Sequence, residues 1–189
     1  IILTLFMAAS CAQTKEQTGF VVKGIVRNLT GNQISIQELT TKGLVFIDST
    51  TVAPDGSFEL MGNVSERTFC VIQVNNGAAV LVVDSLAEIL VSIDANKPED
   101  FTVKGSAETE KLKKLLQLNN KYMELVKTIE GKYAQYSENI PPVAVQNQIR
   151  AEYDSIMKAR ETDMQSLTLT LENSLVPFFA TNYLMPQRS

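Results

Sequence analysis

The chain has 189 residues, enough for one or two domains, with 44% apolar and 20% charged residues, which are globular values. Its net charge is −4 and its pI is near 5.0, which argues against a nucleic-acid partner, since that needs a basic surface. Histidine is absent, which removes the commonest general base, the Ser-His-Asp and Cys-His constellations and the commonest metal ligand.

The chain opens on an apolar run, Ile1 to Met7, that passes through Ala8, Ala9 and Ser10 to Cys11. This run is too short to cross a bilayer, which takes ~20 apolar residues. It fits the apolar core of a secretory signal, and the small residues before Cys11 fit a signal-peptidase site. The reading is a bacterial lipoprotein signal over residues 1–10 that begins inside the signal itself. Cys11 is then the lipid-bearing first residue of the mature protein, and residues 11–19 are a tether. One acyl chain anchors only marginally, so several are expected. The competing reading is a short buried strand that ends in an isolated cysteine.

From residue 20 to 105, β-rich runs alternate with turn signals. Strands are expected at residues 20–27, 33–39, 45–52, 57–61, 69–74, 79–83, 89–94 and 101–104. Pro54-Asp55-Gly56 is a turn in which proline presets φ and glycine admits φ > 0, and Asn76-Gly77 is a strong hairpin signal. Val80 to Val83 is apolar throughout and reads as a central strand covered on both faces. Cys70 lies in an apolar run and reads as a small core residue. Seven or eight such strands make an antiparallel β-sandwich or an open barrel.

After Gly105 the period becomes helical. Ser106 is the expected N-cap, with Glu108 and Glu110 in the first turn, where the helix dipole favours acids. Leu112, Leu115, Asn119, Tyr122, Val126, Ile129, Tyr133 and Tyr136 form a seam with a period of about 3.5, and Asn119 is its polar register candidate. Lys111, Lys113, Lys114 and Lys121 read as the solvated face of this helix. Residues 137–142 break it. A second helix follows over residues 143–173, with Val145, Ile149, Tyr153, Ile156, Met164, Leu167, Leu171 and Leu175 as its apolar positions. Residues 106–173 therefore read as a helical hairpin on the order of 45 Å long, the alternative being a compact helical cap on the sheet. Residues 174–189 begin a linker or a following domain, and Phe178, Phe179, Tyr183 and Leu184 either fold back on the hairpin or await another surface. The fold class is α+β.

The sequence offers no catalytic, cofactor-binding or metal-ligating set. No Cys-x-x-Cys pair and no glycine-rich phosphate loop occurs. Asp48, Asp55, Asp84 and Asp94 flank strands, where aspartate commonly forms turns. Three sites carry an Asp, then Ser, then Thr or an apolar residue. These make Ser49, Ser85 and Ser155 candidates for O-glycosylation.

Lys23-Gly24, Asp48-Ser49-Thr50-Thr51-Val52, Asp55-Gly56-Ser57-Phe58 and Lys104-Gly105-Ser106 occur in an order and spacing that carry a resemblance. Residues 20–184 resemble the β-rich domain of unknown function, with its helical segment, at the N-terminus of Bacteroidetes envelope lipoproteins. In that family a thioredoxin-like domain of the thiol-disulfide interchange or peroxiredoxin-related type follows. The resemblance implies a non-catalytic module that positions or recruits substrate for a thioredoxin-like domain in cis. It also implies a place in the cell envelope, lipid-anchored and facing the periplasm or cell surface, with no cofactor. The alternative is a stand-alone lipoprotein that binds a ligand or an envelope protein partner.

Overall fold

A computed structural model describes residues 19–134, 136 and 140–184. Cys11 and its signal lie outside the described residues. The strands are β1 (Phe20–Arg27), β2 (Gln33–Thr40), β3 (Gly43–Thr51), β4 (Ser57–Gly62), β5 (Thr68–Val74), β6 (Gly77–Val83), β7 (Glu88–Asp94) and β8 (Thr102–Lys104). The helices are α1 (Ala107–Ala134), α2 (Val143–Leu169) and the short α3 (Val176–Phe179), which runs into a π-helical turn at Ala180–Leu184.

The strands form two four-stranded sheets, ordered β4-β1-β7-β8 and β3-β2-β5-β6. The sheets face each other as an open sandwich, and the α+β class holds. The core between them contains Phe20, Ile36, Leu60, Ile72, Leu81, Ile89, Ile93 and Phe101, all nearly inaccessible. One pairing departs from the antiparallel expectation: β1 and β7 run parallel, from Val21 beside Glu88 to Arg27 beside Asp94.

A second core lies on the outer face of the β3-β2-β5-β6 sheet. There Phe69 and Val82 meet Leu112 and Leu115 of α1, Met164 of α2, and Val176, Phe179 and Ala180. The molecule thus has three layers: sheet, sheet and helices. This explains the continuous apolar runs of β5 and β6, because both of their faces are covered. It also corrects the expectation of a central strand at Val80–Val83. β6 is the edge strand of its sheet, and its apolar character comes from helices on one face and sandwich core on the other.

The tail folds back. Phe179 stacks obliquely on Phe69 with ring centroids 5.1 Å apart, and Tyr183 lies 5.0 Å from Phe179. The α1 seam holds as read, each position being buried or half-buried. In α2, Tyr153 departs from the expected seam and is 42% exposed. Arg160, which was not expected there, occupies the seam between Ile156 and Met164 and is only 5% exposed.

Candidate functional site: surfaces and joints of the module

The strand-to-helix change is tightly constrained. Gly105 has φ +88°, and a Cβ there would fall 2.1 Å from the Glu88 carbonyl oxygen, so only glycine fits without a shift. The chain then turns into Ser106, whose hydroxyl caps α1 by accepting from the Thr109 N–H at 3.1 Å. The same two side chains close the edge of the second sheet. The Val82 N–H donates to Thr109 Oγ1 at 2.9 Å, the Ser106 hydroxyl donates to the Val82 carbonyl at 2.8 Å, and the two hydroxyls lie 2.7 Å apart. These side chains stand in for a missing neighbouring strand.

Glu108, 9% exposed, joins the helical elements. Its carboxylate accepts from Lys111 Nζ at 2.6 Å, from the Ser174 hydroxyl at 2.7 Å and from the Leu175 N–H at 3.2 Å. Burial pushes its carboxyl up, but the Lys111, Ser174 and Leu175 bonds outweigh that and hold it below its ordinary value. Higher in the hairpin, Arg160 Nε and Nη2 converge on Asn119 Oδ1 at 3.0 and 2.6 Å, and Nη2 also donates to the Leu184 carbonyl at 2.6 Å. The Tyr122 hydroxyl donates to Asp163 at 2.5 Å, and Lys132 pairs with Glu152 at 2.6 Å. Asn119 is therefore a register residue, and its partner is a buried cation.

The lysines of α1 are less uniform than a solvated face. Lys111 is bound to Glu108, Lys113 lies 5.0 Å from the Phe101 ring centroid, and Lys121 lies 5.1 Å from that of Tyr122. Rings make a favourable seat for an ammonium group.

The strand-flanking aspartates are separately engaged. Asp48 accepts from the Met61 N–H at 2.9 Å, and Asp84 takes Arg67 Nε at 2.9 and 3.1 Å. Asp55 accepts from the Ser57 hydroxyl and N–H, which together hold its carboxyl below the ordinary value. Asp94 is lowered likewise, by Asn28 first and then the Asn96 N–H. Asn28 and Asn75 take positive φ and tie three loops at one end of the sandwich, Asn75 accepting from the Thr30 N–H at 2.7 Å. Burial, with the Glu38 carboxylate as a second cause, pushes the Cys70 thiol up to about 12, so it stays protonated and unreactive near neutral pH. Among the described residues no group of three or more Cys, Asp or Glu side chains is placed to hold a metal ion. Ser49, Ser85 and Ser155 are all exposed.

What remains open to a partner is apolar surface. The outer face of the β4-β1-β7-β8 sheet exposes Ile25, Met61 and Leu90, and the hairpin tip exposes Ile140 and Val143. A cavity of about 150 Å³ on that sheet face is lined by Val21, Lys23, Glu88, Leu90 and Lys104. At the free end of β3, the consecutive residues Leu44, Val45 and Phe46 are 46%, 51% and 62% exposed. In the sequence Val45 and Phe46 open the strand expected from residue 45, and an uninterrupted Leu-Val-Phe directly after a turn is the visible signal of the patch.

Residues 20–112 match a family model described as a domain of unknown function (DUF4369). The match runs past the last strand to Leu112, so it includes the hydroxyl pair that seals β6 and the first buried leucine of α1. No curated protein and no solved structure matches the chain.

Proposed function

We propose that this chain is the non-catalytic front of a cell-envelope lipoprotein, anchored through Cys11, and that it positions or recruits substrate for a thioredoxin-like thiol-disulfide oxidoreductase domain in cis. The observation that carries the reading is the mounting of the hairpin. Its base is fixed to the sheet by the second core and by the bonds of Ser106 and Thr109 to Val82, while Arg160–Asn119, Tyr122–Asp163 and Lys132–Glu152 hold its two helices in register. An arm of 28 and 27 residues per helix, about 40 Å long, suits a spacer that sets distance and direction. The resemblance to Bacteroidetes envelope lipoproteins supplies the anchor and the redox partner.

The test uses the whole gene expressed in an envelope-bearing bacterial host. Labelled palmitate is expected to enter the protein, and Cys11→Ala is expected to abolish labelling and move the protein from the membrane to the soluble fraction. The coding sequence is expected to carry a Cys-x-x-Cys pair beyond residue 189. Finding no such pair there would leave a stand-alone binding lipoprotein, a role that the exposed Leu44, Val45 and Phe46 also favour.

A further inference from the structure

We propose that the free edge of β3, residues 43–46, captures an extended apolar segment of another polypeptide by adding it to the sheet as a further strand. The inference rests on the recruiting role proposed above and gives its substrate a chemical form.

Among the described residues, three of the four sheet edges are blunted. At β6, Thr109 and Ser106 occupy the outward N–H and C=O of Val82. At β4, Asp48 accepts from the Met61 N–H. The β8 edge is three residues long and ends at Lys104 before the chain turns away. The β3 edge is treated differently along its length. A bulge at the Ile36/Gln37 step leaves Ile47 out of the ladder and divides the strand. Beyond it Asp48 reaches β4; before it residues 44–46 lie in register with Leu39, Glu38 and Gln37 of β2, and among the described residues no strand pairs with their other side. Proteins usually protect such an edge with charge, proline or extreme shortness. Here it carries Leu44, Val45 and Phe46.

Alternation across the strand puts Leu44 and Phe46 on one face and Val45 on the other, so both faces are apolar and open. The ligand must therefore bring main-chain donors and acceptors and apolar side chains on alternating positions, as an extended segment does. The free length decides against a second copy of this chain. Four residues span ~13 Å, and pairing so short a segment with itself falls far below the roughly 1,200–2,000 Å² that a stable dimer buries. Weak, reversible capture fits that length. Lys42, at the mouth of the segment, favours an acidic flank on the ligand.

The test titrates the full chain into a fluorescein-labelled peptide of alternating Val and Thr with Glu at both ends, read by anisotropy. The same peptide with alternate backbone nitrogens methylated is the control. Saturable binding is expected, with the methylated peptide and the Phe46→Lys protein each weaker by about tenfold or more. Leu90→Lys, equally exposed on the other sheet, is expected to bind like the parent. Hydrogen exchange at residues 43–47 is expected to slow with the peptide. No binding, equal binding of the methylated peptide, unchanged exchange, or equal loss from Leu90→Lys overturns the inference. Thermal melts of both variants show that each is folded. Failure of peptide capture alongside a Cys-x-x-Cys beyond residue 189 removes this inference alone. Capture without that pair removes the redox reading alone.

Discussion

Arg160 and Asn119 meet across the helical hairpin, two guanidinium nitrogens on one amide oxygen, in a seam that is otherwise largely apolar. Burial lowers the Arg160 pKa, yet the group remains a cation, and its hydrogen bonds go to the neutral oxygens of Asn119 and Leu184. Removing Asn119 leaves that buried charge short of an acceptor. Asn119→Leu is expected to cost about 2–3 kcal/mol in chemical denaturation. Asn119→Leu with Arg160→Met is expected to cost less than the sum of the single changes, because the double change removes both polar members. Strict additivity in the double-mutant cycle would disprove the coupling.

The Glu108 joint predicts an acid transition. Its folded pKa lies below the ordinary 4.5, so its contribution to stability is fully present above that value and is lost as pH falls through the lower, folded value. The melting temperature is expected to decline below about pH 4.5. Glu108→Gln is expected to be less stable at neutral pH, with a shallower decline in the acid range. Parallel pH profiles for the two proteins would exclude Glu108 as a contributor.

Thr109→Val keeps the shape and removes the acceptor that serves the Val82 N–H. Leaving that amide unsatisfied is expected to cost about 1–3 kcal/mol. Hydrogen exchange should be faster at Val82 in the variant. Unchanged exchange there would mean that another group takes over the edge.

Two glycines predict opposite signs. Gly105→Ala meets both a positive φ and the Glu88 carbonyl, and a loss of about 2 kcal/mol or more is expected. Gly131 sits within α1 with nothing within 4 Å of an added Cβ, so Gly131→Ala is expected to gain up to about 1 kcal/mol. Melting temperatures of the two variants check both signs.

Cys70 should be inert in the folded state. In a Cys11→Ala background, iodoacetamide is expected to modify it only after denaturant is added, because burial keeps the thiol protonated with a pKa of about 12. Stoichiometric labelling of the native protein by mass spectrometry would contradict its placement in the core.

Most of the fold was legible because its turns are chemically explicit. Pro54-Asp55-Gly56 turns where expected, whereas the β5–β6 turn falls one residue before Asn76-Gly77, on Asn75-Asn76 with positive φ at Asn75; the strands differ from the expected ones by a residue or two at their ends. Strand order was not legible, since nothing local distinguishes a parallel neighbour such as β7 from an antiparallel one. The edge position of β6 was hidden because helices cover it as another sheet would. Arg160 escaped notice because a long aliphatic stem can fill an apolar seam while its head finds oxygen elsewhere. The joint at Glu108 and Ser174 links positions 66 apart, beyond the reach of any periodicity. The open edge at Leu44, Val45 and Phe46 reads in sequence like any other apolar strand. Its exposure follows from β4 covering only the far half of β3.

The parallel pairing of β1 with β7 bears on how the chain comes to be folded at all. β1 lies inside its sheet, between β4 and β7, so this early strand cannot be completed until residues 88–94 have arrived. The β6 edge then waits for Ser106 and Thr109. Contacts so distant in sequence make for slow, all-or-none assembly, during which apolar strands are exposed to aggregation. The smallest piece expected to close on itself therefore extends through the start of α1, close to the residue 112 at which the family match stops.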